Sequence, residues 1–165
     1  MVETPEYKIV KKAGNVEIRQ YPALVLATAR MKGGSDNEAF GIVAGYIFGN
    51  NALNERIAMT APVITARQKE VFTMSFVMPS GYDIKSLPKP ASDIIKLEKR
   101  SSARFATIRF SGRVTESNVK KYTKELLDAL RRMKLRPKGE VLLMRYNPPW
   151  TLPFFRRNEL AVQLA

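Results

Sequence analysis

The chain has 165 residues, 45% of them hydrophobic, and carries 28 Lys and Arg against 15 Asp and Glu, a net charge of +13. That is the composition of a folded globular domain long enough to bury a continuous core. It contains no cysteine and no histidine, which excludes disulfides, thiol catalysis, zinc-finger ligation, Ser–His–Asp chemistry and imidazole-ligated haem.

In chain order, residues 7–12 and 16–21 have strand composition and flank an Ala13-Gly14-Asn15 turn, which predicts a hairpin. An apolar strand over 23–31 then runs into Gly33-Gly34. Ser35 with Glu38 three residues later is a capping-box pair, and a helix is expected from that point. Phe40, Val43, Ala44, Ile47 and Phe48 recur at helical spacing as one apolar face, and Gly49-Asn50-Asn51 ends it. Gly41 and Gly45 lie four apart beside that stripe and weaken the helix, so a strand or a flat ligand is expected to come close there. Strands are predicted over 56–66 and 71–78, with Pro62 marking an edge or a bulge because it has no N–H for a ladder. A loop over 79–90 closes this half.

The second half repeats the order. Strands over 94–99 and 104–111, a helix over 116–134 and strands over 140–146 and 158–164 match the first half, giving internal repeats of about 7–78 and 94–164 within one domain spanning 1–165. On the long helix Val119, Tyr122, Leu126, Leu130 and Met133 share a face, while Lys120, Lys121, Lys124, Arg131 and Arg132 fall mostly outside it and read as solvated. The expected class is α+β, an antiparallel sheet or distorted open barrel built from two pseudo-symmetric βαββ-type repeats with two helices.

Charge is uneven, with 11 basic and 8 acidic residues over 1–90 but 17 and 7 over 91–165. An anionic partner suits such a field, and nucleic acid is the less favoured one, because no basic–aromatic interleaving or RNP-like motif accompanies the charge. No stretch is long and apolar enough for a membrane span, and the first residues lack the pattern of a signal peptide, so a cytoplasmic protein is expected. Glu17, Glu55, Glu98 and Glu159 carry no motif context and read as surface or ion-paired carboxylates. Nothing marks an enzyme.

One segment stands apart. Residues 146–159 form a three-proline loop carrying Trp150, Leu152, Phe154 and Phe155, with Arg156 and Arg157 at its end. Stiff backbone, exposed rings and guanidinium groups together suit a planar hydrophobic anion, although the same rings could equally plug a core.

The run of segments ETPEYKIV, VEIRQYP, AGYIFGNN, IAMTAPV, FVMP, FSG and YNPPWTLPFFRRNE, in order from Glu3 to Glu159, resembles the SOUL haem-binding protein family over nearly the whole chain. The resemblance implies a fold like that of bacterial effector-binding domains and reversible binding of haem or another tetrapyrrole in a shallow apolar cleft. By position that cleft is lined by Phe40, Val43, Ala44 and Ile47 on the first helix and by Leu152, Phe154, Phe155 and Arg156 on the loop, with Arg156 toward a propionate. Where some members place a proposed axial histidine this chain has Gln20, a poor iron ligand; Met31, Met59, Tyr46 and Tyr146 are the remaining candidates. A monomeric, non-enzymatic tetrapyrrole carrier or buffer without histidine ligation is therefore expected. The alternative is an effector-binding or protein-interaction module for another amphipathic ligand.

Overall fold

The computed structural model describes residues 2–165. Its elements are β1 (Lys8–Ala13), β2 (Val16–Tyr21), β3 (Leu24–Lys32), α1 (Asp36–Ile47), β4 (Val63–Gln68), β5 (Val71–Val77), β6 (Ile95–Arg100), β7 (Ala103–Phe110), α2 (Glu116–Arg132), β8 (Pro137–Arg145) and β9 (Asn158–Leu164), with a 3₁₀ turn at Pro153–Phe155. The class is α+β, as the hydrophobic pattern predicts. β1 and β6 each pair with a single strand, so the strands stay open instead of closing into a barrel.

Contacts divide the chain into two compact units that do not follow the sequence halves. The first comprises Ala23–Ser101 with the N-terminal segment up to Pro5, and the second joins Glu6–Pro22 to Ser102–Ala165. In the first unit the strand order is β4-β5-β3-β6, all antiparallel, with α1 against β3 and β5. Ala27 and Ala29 on β3 are fully buried and small, which lets Val43, Tyr46 and Ile47 of α1 pack down between them and Met74 and Phe76 of β5. Each such large apolar side chain taken from water contributes roughly 1.5–3 kcal/mol.

The second unit has the order β1-β2-β7-β9-β8, again antiparallel, with α2 laid across β7, β9 and β8. Alternate residues Val16, Ile18, Ala106, Ile108, Leu160 and Val162 meet Leu126, Ala129 and Leu130 of α2. The residues between them face the other way, yet Arg19, Thr107 and Glu159 are also buried. Strands β2, β7 and β9 therefore bury residues on both faces.

Strand partners cross the expected repeats. β2 pairs with β7 from Val16↔Ile108 to Tyr21↔Ala103, and β6 pairs with β3 from Leu24↔Arg100 to Ala29↔Ile95. Thus the strand preceding each central strand in the chain is bound in the other half's sheet. Residues 56–62 form no strand, because their backbone donors go elsewhere: Ile57 N–H to Ile47 O at 2.8 Å and Ala61 N–H to Glu3 O at 3.0 Å, while Pro62 has none. β8 begins earlier than expected, at Pro137, and absorbs an irregularity between Lys138 and Leu142 around Gly139, whose φ is +86°.

Candidate functional site

Two surfaces correspond to the residues singled out in the sequence, one in each unit. The first is α1. Ser35 Oγ accepts from the Glu38 N–H at 3.2 Å and starts the helix as its pattern predicts. The buried side is Ala39, Val43, Ala44, Tyr46 and Ile47, so three residues of the expected face are covered while Phe40 and Phe48 are not. Of the residues expected to line a cleft, Val43 and Ile47 are core, Ala44 is covered, and Phe40 is 42% exposed with its ring against Phe76 at 5.4 Å between centroids. Phe48, the C-cap, is 60% exposed.

Gly41 and Gly45 lie between Phe40 and Phe48 in sequence, on the side of α1 away from its buried face. A Cβ built on either meets nothing within 4 Å, so no strand packs on them. Each glycine costs the helix about 1 kcal/mol relative to alanine, and no contact in the structure compensates for it. At about 100° per residue Gly41 and Gly45 share one bare side of α1, with Phe48 beside them and Phe40 about 100–140° further round the helix.

The second surface is the loop before β9. Trp150, Leu152, Phe154 and Phe155 are 83, 55, 67 and 69% exposed, so they do not plug a core. The loop is held by its own cation: Arg156 Nε donates to Thr151 O at 2.8 Å and an Nη to Pro149 O at 3.0 Å. Gly112 N–H donates to Pro153 O at 2.8 Å and ties the 3₁₀ turn to the segment leading into α2. The guanidinium assigned by resemblance to a propionate thus spends two of its nitrogens on loop carbonyls.

Sequence reasoning missed the buried ion network of the second unit. Glu159, read as a surface or ion-paired carboxylate, is ion-paired and has no exposure at all: Arg19 grips it through two bonds, 2.7 and 2.8 Å. It also accepts from Arg157 at 3.1 and 3.0 Å. Arg19 in turn reaches Glu17 at 2.9 Å and the Tyr21 hydroxyl at 2.9 Å, and its guanidinium lies 4.1 Å over the Tyr7 ring. Burial opposes the charge on Glu159, but hydrogen bonds and attraction from Arg19, then Arg157, outweigh it and hold the carboxyl below its ordinary value. The only signal was the alternation Glu17, Arg19, Tyr21 against Val16, Ile18, which reads equally as a wet face.

None of the candidate iron ligands is presented. Tyr46 is buried, donates its hydroxyl to Pro88 O at 2.7 Å, and is pushed up to about 12 by burial and by the charge of Glu55. Tyr146 is also raised by burial, with its hydroxyl toward Met144 Sδ at 3.9 Å. Met59 and Met31 pack against the first core, and Gln20 donates to Ser102 Oγ at 3.0 Å. Among the described residues no cluster of three acidic or metal-ligating side chains could hold an ion.

A family model described as SOUL heme-binding protein matches residues 2–163. The chain belongs to the SOUL family. No curated protein was found to match it. Solved structures similar to this SOUL chain include a hydrolase from Listeria innocua (10% identity, 94% of each chain covered, TM-score 0.64) and the C-terminal domain of EcmrR (10%, 96% of this chain and 98% of that one, 0.67). SAV2435 bound to tetraphenylphosphonium is similar too (10%, 97% and 94%, 0.51). At such identity these likenesses establish the fold alone, an effector-binding-domain-like α+β arrangement. The bare side of α1 suits the chemistry of a flat apolar macrocycle, and none of Gln20, Met31, Tyr46, Met59 and Tyr146 is poised as an axial donor to its iron.

Proposed function

We propose that this SOUL protein is a non-enzymatic carrier or buffer for haem or another tetrapyrrole, which it takes by apolar contact with the face of the macrocycle and not by histidine ligation. The observation that carries this reading is the uncovered side of α1 at Gly41 and Gly45, with exposed Phe48 beside it. A flat ring system is the ligand that two side-chain-free helix positions beside an exposed phenyl group accommodate best. Exposed Trp150, Leu152, Phe154 and Phe155 offer a second apolar surface of the same chemical kind, to be tested separately. Bound haem would supply a flat apolar surface and two propionates; the positive charge of the chain favours an anionic ligand.

The experiment is a titration with haem and, in parallel, iron-free protoporphyrin, read by Soret absorbance and by the fluorescence of Trp150, the chain's single tryptophan. Equal affinity for the two ligands is expected, together with a loss of about tenfold, roughly 1.4 kcal/mol, in Gly45→Leu. That variant should fold, since the space beside Gly45 is open. Porphyrin binding far weaker than haem, or a Gly45→Leu protein that binds like wild type, would sink the reading. The likeness to SAV2435 bound to tetraphenylphosphonium supports a second reading, an effector-type module for another amphipathic ligand. Saturable tetraphenylphosphonium binding without porphyrin binding would put that reading first.

A further inference from the structure

Positive charge is concentrated in the second unit, which holds 18 Lys and Arg against 7 Asp and Glu, whereas the first holds 10 against 8. Beside the β1–β2 turn this unit encloses a cavity of about 390 Å³, within the range of small-molecule sites. Its walls carry four cations, Lys12, Arg19, Arg109 and Arg157, and one carboxylate, Glu17.

The two buried guanidinium groups are already answered. Arg19 is spent on Glu17, Glu159 and Tyr21, and Arg157 bonds Glu159 and Tyr7. Two carboxylates thus neutralise two arginines. Lys12 and Arg109 remain, exposed, with no side-chain hydrogen bond or ion pair among the described residues. Strand register sets them there: Lys12 is opposite Glu17, Glu17 is opposite Thr107, and Arg109 is two residues further along β7, its N–H toward Asn15 O of the turn at 3.5 Å. Two uncompensated positive charges therefore share one concave site, over a floor made rigid by the Arg19–Glu159 pair.

We propose that this cavity binds a small organic dianion, with Lys12 and Arg109 as its charge partners. A monoanion would leave one cation unanswered, and the volume leaves room for an organic group beyond the charged head. Phosphate monoesters and dicarboxylates share the required chemistry. Isothermal titration at fixed ionic strength with glycerol phosphate, succinate and acetate tests it. Expected is one saturable site for at least one dianion, weaker binding of acetate, and about tenfold loss in Lys12→Gln and in Arg109→Gln. Lys138→Gln, an exposed cation outside the cavity, should bind like wild type. Whichever dianion binds identifies the head group. Absence of saturable binding to both, binding that survives the Lys12→Gln/Arg109→Gln pair, or an equal loss in Lys138→Gln would overturn the proposal.

Discussion

Glu159 and Arg19 show how a buried charge depends on its partner. Replacing Glu159 with Gln takes from the Arg19 guanidinium, 2% exposed, its fully buried counter-charge and leaves only Glu17 to answer it, and a loss of up to about 3–5 kcal/mol in urea unfolding is expected. An Arg19→Met/Glu159→Leu pair removes both charges and should cost much less than Glu159→Gln alone. The pH sign follows from the lowered carboxyl. Its stabilisation is complete above the ordinary value of 4.5 and is lost as pH falls through the lower folded value. Urea midpoints measured from pH 6 down to pH 2 should therefore fall more steeply for wild type than for the Arg19→Met/Glu159→Leu pair. A single sequence hides this network, because the partners stand 140 positions apart and each alone reads as a solvated charge.

At the scale of elements, α1 sets stability against binding. Gly41→Ala and Gly45→Ala should each raise stability by about 1 kcal/mol, since a methyl group there meets open space. The same changes should weaken porphyrin binding. Denaturant unfolding and the Soret titration read the two effects on one protein; binding that improves along with stability would remove this side of α1 from the ligand's path. The two helices were legible because their periodicity and the Ser35 cap are local. The stripe of α2 packs on the core as read, with Leu126 and Leu130 buried and Val119, Tyr122 and Met133 half-buried, and Lys120, Lys124 and Arg131 lie on its solvated side in ion pairs with Glu116 and Asp128. Residues 56–62 were misread because apolar composition resembles a strand whether or not a partner takes its backbone donors. How far round α1 burial extends was also not legible: Val43, Ala44 and Ile47 are covered as read, but Ala39 and Tyr46 enter the core while Phe40 and Phe48 stay exposed.

Across the whole molecule the net charge of +13 should govern encounter with an anionic ligand. Association of protoporphyrin, followed by stopped flow, is expected to slow as ionic strength rises, while its dimethyl ester shows little salt dependence. Equal salt dependence of the two would show that the propionates play no part in steering. Among the described residues no helix is long and apolar enough to cross a membrane.

The crossed strand pairing also orders events in time. Hairpin β1–β2 leaves the ribosome ahead of its partners: β7, the strand that pairs with β2, follows about eighty residues later, and β9 later still. Ala23–Ser101, by contrast, is one continuous stretch and can complete its sheet and helix while the hairpin waits. At about 5–20 residues per second that wait lasts on the order of ten seconds. During it Val16 and Ile18 have no core to enter. The exposed lysines of β1, Lys8, Lys11 and Lys12, then guard a nascent edge against pairing with a neighbouring chain.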